Sequence, residues 1–384
     1  MSERPALDRC PGLLRPFIAE DGALVRLRMP GGRLATSVLR EVVEIAGANG
    51  APVVQLTSRG NLQVRALPDP LSLALIEAVE ATGLLPSASH ERVRNILAAP
   101  LARDLDDLVD SFDAALMAEP RLASLPGRFL FAFSDASGSV LSERWDVAYQ
   151  RHSRKSGTLL VGDGGAPVKP EDAVTAMIEV ALRFVEFAPE GAWNVRDLPN
   201  PSDLLPHRAP HDEGAPRRDP RDGATRRPVV ARPLAPGVVG DAVVAGVPLG
   251  MLTLEHVEAL AHVADEVVIT PWRSVVVRGG APRVESLRSA GLVTEPEGPW
   301  ARLSACVGAP SCRRTTVPTL DLARSAAETV VSQRLTATQD VHVVGCERRC
   351  GTGISNRVLV APPTVDDVVS ALTTPATAAI RGEQ

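Results

Sequence analysis

The chain has 384 residues, 45% of them hydrophobic, with 41 Lys and Arg against 46 Asp and Glu and a formal net charge of −5. That length exceeds one typical domain and supplies more than one core, while the acidic balance gives no case for nucleic acid as a partner. No stretch reaches the uninterrupted apolar length of a membrane span, and the opening M-S-E-R-P-A-L-D-R-C is charged where a secretory signal is apolar.

In chain order, Cys10-Pro11-Gly12 opens the ordered region. Val25, Leu27 and Met29 alternate with Arg26 and Arg28, the period of a half-buried strand. Leu34, Val38, Val42, Ile45 and Ala46 fall on one face of a helix that gives out near Gly47 and Gly50. Strands are expected at Pro52 to Leu56 and Leu62 to Leu67, around the turn T57-S58-R59-G60-N61, with a second helix from Leu71 to Thr82. The same β-α-β-β-α order returns with a strand near Val243 to Val247, a helix from Thr253 to Val263, strands at Val267 to Ile269 and Ser274 to Val277, and a helix near Val284 to Ala290. Aligned without a gap, the repeats set Arg59 against Trp272.

Between the repeats, strands are expected at Arg128 to Ser134 and Thr158 to Val161, and a helix at Glu171 to Phe187. The chain then divides into a half-unit at 10–85, an α/β unit without cluster ligands at 90–200, a Pro- and Arg-rich disordered linker at 206–232, a second half-unit at 235–295 and a cysteine-bearing α/β unit at 300–375. The expected class is α/β (α+β) with a duplicated architecture.

Four of five cysteines lie in the last unit, Cys306 and Cys312 in C-V-G-A-P-S-C and Cys346 and Cys350 in G-C-E-R-R-C-G. Each pair falls on a loop at the end of a predicted strand, where rigid neighbours fix ligands. The x5 and x3 spacings suit four thiolates around an iron–sulfur cluster. A structural zinc site, which usually spaces its pairs more tightly, and a disulfide framework are the other readings. With a cluster and no export signal, a reducing cytoplasm is the expected compartment.

The residues resemble the siroheme-dependent sulfite and nitrite reductase family. L-T-S-R-G-N-L-Q at Leu56 to Gln63 is similar to its T-T-R-Q-N-I-Q turn, R-V-R-N-I at Arg92 to Ile96 to its R-N-V segment, and the cysteine spacings to its cluster motif. C-P-G at Cys10, I-T-P-W-R at Ile269 to Arg273 and A-C-V-G-A-P-S-C at Ala305 to Cys312 tilt the resemblance toward the precorrin-3B synthase branch. The reductases' L-P-R-K-F-K segment appears as L-P-G-R-F-L, so Arg128 keeps one cation and Leu130 replaces a lysine.

That resemblance implies two ferredoxin-like half-units alternating with two larger α/β units. It implies a 4Fe–4S cluster on Cys306, Cys312, Cys346 and Cys350 and a separate mononuclear non-haem iron, with siroheme only if the chain is a reductase. The substrate would be the tetrapyrrole precorrin-3A, hydroxylated with dioxygen at C-20 with lactone closure, electrons coming from an NADH-linked donor. Arg59, Arg94 and Arg128 would bind its carboxylates, for which guanidinium is the fitting donor, with Arg154, Lys155 and Arg273 as weaker candidates. The competing readings are a sulfite or nitrite reductase and a non-enzymatic electron carrier or tetrapyrrole-binding protein.

Overall fold

The structure is a computed structural model that describes residues 8–206, 229–353 and 357–374. Most of the linker expected at 206–232 lies outside the described residues, as do His207 and His211.

The first half-unit comprises β1 (Phe17–Ala19), β2 (Gly22–Leu27), β3 (Arg33–Ala35), α1 (Thr36–Ala48), β4 (Val54–Leu56), β5 (Leu62–Leu67) and α2 (Leu73–Ala81). The first α/β unit follows with β6 (Ile96–Ala98), α3 (Asp106–Ala118), β7 (Phe131–Ser134), β8 (Val147–Ser153), β9 (Ser156–Val161), β10 (Gly164–Val168) and α4 (Ala173–Phe187). The second half-unit comprises β11 (Gly237–Val239), β12 (Ala242–Gly246), β13 (Met251–Leu252), α5 (Leu254–Val263), β14 (Glu266–Ile269), β15 (Ser274–Val277) and α6 (Val284–Ser289). The cysteine-bearing unit closes the chain with α7 (Pro299–Arg302), β16 (Leu303–Ala305), α8 (Thr319–Ser332), β17 (Val341–Val344), β18 (Arg357–Val360) and α9 (Val365–Thr373). This is the duplicated, mixed α/β architecture expected from the sequence.

The half-units exchange a strand. The sheet orders are β1-β2-β5-β4-β13 and β11-β12-β15-β14-β3, so each half-unit lends its third strand to the other's edge. Leu34, expected on a helix face, therefore lies in β3 opposite Val267, while Leu252 of β13 faces Val54. A leucine after a glycine pair fits either period; an unpaired edge in the other half-unit favours the strand. Behind both sheets lies one shared core, with Val25, Leu27 and Val64 from the first meeting Val243, Val275 and Val277 from the second.

In the first α/β unit the order is β10-β9-β8-β7-β6, with β6, β7 and β8 parallel. Its core is aromatic: Phe112 of α3 stands edge-on to Phe131 at 4.7 Å, and Phe129 meets Phe184 of α4 at 4.8 Å. The helix α3 was not anticipated, although Leu105, Val109, Phe112 and Leu116 carry its spacing. In the cysteine-bearing unit β16, β17 and β18 are parallel beside α8 and α9, and Leu249 of the second half-unit completes their core. No helix of the described residues is long and apolar enough to cross a membrane.

Candidate active site

The two-residue period of β2 and β5 buries Val25, Leu27 and Val64 and turns Arg26 and Gln63 to the opposite face. There Arg26, Gln63 and Gln55 stand in register across β2, β5 and β4. Arg26 donates to Gln63 Oε1 at 2.9 Å, and Gln63 Nε2 donates to Gln55 Oε1 at 2.7 Å. This polar ladder floors a cavity of about 340 Å3, whose facing wall is made by the two cysteine loops.

All four cysteines of the last unit line that cavity. Cys306 follows β16 and donates its N–H to Val343 O at 2.9 Å; Gly345 N donates to Cys306 Sγ at 3.4 Å. Gly308 has φ +64, and a Cβ there would meet Thr319 Oγ1 at 2.3 Å, so the first loop requires glycine. Cys350 is the most exposed of the four. Desolvation nonetheless pushes its thiol up, Arg348 opposes the rise, and Cys306, Cys346 and Cys312 add to it. The five cysteines are free thiols.

Among the described residues no three His, Cys, Asp or Glu side chains stand as a metal-holding group. The chemistry of the donor set nevertheless fits an iron–sulfur cluster: four cysteines line one cavity, and a backbone N–H is bonded to the sulfur of Cys306.

The cavity is strongly cationic. Arg9, Arg26, Arg65, Arg273, Arg313, Arg314 and Arg348 line it against one acid, Glu20. Burial pushes the Arg26 guanidinium down to about 10, with Cys10 opposing and Arg59 and Arg128 reinforcing, which still leaves it charged at neutral pH. Of these residues only Arg273 was singled out from sequence. The signals for the others were the outward position of Arg26 on its strand and the pair Arg313-Arg314 beside Cys312.

Arg59 and Arg128 stand near Arg26 without lining the cavity wall. Burial lowers the Arg59 pKa, Cys10 opposes that and Arg128 reinforces it, and no carboxylate among the described residues forms a salt bridge with either arginine. The Arg128 guanidinium lies 4.2 Å over the Trp193 ring, with its buried Nε unbonded. Such cations are available to an incoming anion. Arg94 differs: its Nε–Nη2 edge donates to Asp113 at 2.8 and 2.6 Å and is buried with it. Arg154 and Lys155 sit exposed on the β8–β9 turn, outside the cavity lining.

Cys10 is buried, and its N–H bonds to Asp8 Oδ1 at 3.0 Å. His90, His256 and His342 are buried and hydrogen-bonded inside the fold. Beside the second-repeat turn, Glu143 accepts from Trp272 Nε1 at 2.9 Å, and burial raises its pKa against the pull of that bond and of Arg273.

Residues 18–81, from β1 through α2, match the family model described as the nitrite/sulfite reductase ferredoxin-like half domain. A curated relative named precorrin-3B synthase, from Sinorhizobium sp, is 25% identical over 380 residues, covering 89% of this chain and 77% of its own length. Among solved structures, the Mycobacterium tuberculosis NirA protein aligns with a TM-score of 0.60 at 19% identity, covering 86% of this chain and 69% of that one, a likeness of fold. The chain thus resembles precorrin-3B synthase and shares the architecture built on the nitrite/sulfite reductase half domain.

Proposed function

We propose that the chain is an oxidoreductase of precorrin-3B synthase type, which hydroxylates precorrin-3A at C-20 with dioxygen and closes a lactone with the ring A acetate in cobalamin biosynthesis. One observation carries the reading: a single cavity puts four cysteines on one wall, a polar ladder on its floor and seven arginines around it. A macrocycle bearing many acetate and propionate groups needs several fixed cations, and guanidinium binds carboxylate through two parallel bonds. The named relative supports the choice of substrate.

In this reading Arg26, steadied by Gln63, anchors carboxylates over the sheet, and Arg59 and Arg128 receive those reaching past its edge. Arg94 serves the scaffold through Asp113. When bound to Cys306, Cys312, Cys346 and Cys350, a 4Fe–4S cluster supplies one-electron transfer from an NADH-linked donor. No described residue is assigned to a separate mononuclear iron. A sulfite or nitrite reductase calls for several cations over its small anionic substrate. Leu130, where that family carries its second lysine, is buried here, and its N–H bonds to Asp146 at 2.9 Å.

The test is the absorption spectrum of protein purified without air from cells that make siroheme, followed by addition of precorrin-3A. A broad brown shoulder, binding of precorrin-3A and its conversion in the presence of dioxygen and a donor are expected. Sharp haem-type bands would overturn the reading in favour of a siroheme reductase.

A further inference from the structure

His342 sits on β17, the central strand of the cysteine-bearing sheet, fully buried. It does not line the cavity, yet both of its ring nitrogens are engaged. Ser304, its register partner on β16, places Oγ at 2.8 Å from Nδ1, and the Cys350 carbonyl oxygen lies 2.8 Å from Nε2. A carbonyl oxygen can only accept, so Nε2 carries a proton, and in the neutral ring Nδ1 accepts from the serine hydroxyl. One residue along, the Gly351 carbonyl accepts from the Arg273 guanidinium at 2.7 Å.

Arg273 makes that bond from an uncommon backbone. Its φ is +57, at the turn position where the first half-unit has Gly60 with φ +62. A non-glycine residue in the left-handed region persists where surrounding contacts hold it, and such residues cluster at functional sites. Gly351 is itself at φ +78, and a Cβ there would stand 2.7 Å from the Arg273 guanidinium. The loop is thus shaped to receive Arg273.

Cys350 needs such support more than Cys306 or Cys346 does. Those two follow β16 and β17 within two residues, whereas Cys350 lies on a turn whose own backbone bonds are Arg349 N to Cys346 O at 3.1 Å and Thr352 N to Arg349 O at 3.4 Å. We propose that His342, held by Ser304, and Arg273 are positioning residues that clamp the carbonyls of Cys350 and Gly351 and so fix the backbone of the Cys350 turn against the sheet for cluster binding. The inference rests on the cluster reading of the cysteines. Groups one bond removed from metal ligands orient those ligands, and their loss typically lowers metal affinity ten- to a hundredfold.

The test uses the full chain reconstituted without air with ferrous iron and inorganic sulfide, in wild-type, His342→Leu, His342→Gln and Arg273→Gln forms. Iron and sulfide content, the rate of iron loss to a chelator and the midpoint potential followed by electron paramagnetic resonance are measured without tetrapyrrole. Expected for His342→Leu is a shifted potential with iron loss roughly tenfold faster. His342→Gln, whose amide restores an N–H toward the Cys350 carbonyl, recovers most of the wild-type behaviour, and Arg273→Gln falls between. Wild-type loss rate and potential in both His342→Leu and Arg273→Gln would overturn the clamp while leaving the cluster reading intact. A folded wild-type chain that takes up no iron and sulfide would overturn the cluster reading and the clamp with it. Should His342→Leu fail to fold, Arg273→Gln decides alone: unchanged iron loss and potential overturn the clamp.

Discussion

The turn 57–61 and the turn 270–274 close the same hairpin in the two half-units, each with the first N–H donating to the fifth carbonyl at 2.9 Å. Their side chains diverge. The first turn carries Arg59, which lacks a salt bridge to any described carboxylate, followed by Gly60. The second carries Trp272, bonded to Glu143, followed by Arg273, bonded to Gly351. The turns before the exchanged strands diverge likewise: Gly31 lies close against Val109 and Ala98, where the second copy inserts Leu249 into the core of the cysteine-bearing unit. Duplication therefore yielded two scaffolds with different duties. The first copy leaves Arg59 without a salt bridge to a described carboxylate, and the second contacts the cysteine-bearing unit through Arg273 and Leu249.

The contrast can be broken at several points. The largest effect is expected from Cys346→Ser, which removes a thiolate and should abolish cluster assembly; iron and sulfide analysis checks it, and full retention would show that the ligands lie elsewhere. Leu249→Ala should destabilise the cysteine-bearing unit by about 3 kcal/mol, the usual cost of a leucine cavity, read by denaturant unfolding. Gly31→Ala, strained at φ +66, should cost less, about 1 kcal/mol.

Asp146 offers a pH-resolved test of how the first α/β unit supports its neighbours. Burial pushes its carboxyl up to about 6, against the N–H bonds from Leu130 and Val195 and the amide of Asn194. A carboxyl with a higher pKa folded than unfolded favours the folded state fully below about pH 4, and that contribution is lost as pH rises through about 6. The lost contribution, between about pH 4 and about 6, is about 3 kcal/mol. Asp146→Asn should therefore flatten stability against pH between 4 and 6, and an unchanged slope would refute the assignment. Arg59→Ala should weaken precorrin-3A binding about tenfold, the loss of one charge-assisted contact, with cluster iron unchanged. An unchanged dissociation constant would remove Arg59 from the substrate site.

Much of this organisation was legible in the residues themselves. Period-2 alternation at Val25, Leu27 and Met29, helical spacing around Val38, Val42 and Ile45, and the return of the same element order are local properties, and local sterics read them directly. The cysteine spacings put two thiols on each of two short loops, and all four line the same cavity. A repeat aligned without a gap set Arg59 against Trp272, and the shared turn geometry bears that pairing out.

What tertiary structure alone decided is what depends on residues distant in the chain. Arg94 was read as a substrate anchor from its motif, yet Asp113, nineteen residues on, takes its Nε–Nη2 edge. Leu34 became a strand because an unpaired edge more than 200 residues away was available to it. That Arg26 and the arginines of the cysteine loops line one cavity was decided only once the sheet face was set against the last unit. Local spacing specifies elements and short-range ligand sets, whereas the partner that satisfies a charge or an open edge depends on which surfaces the folded chain brings together.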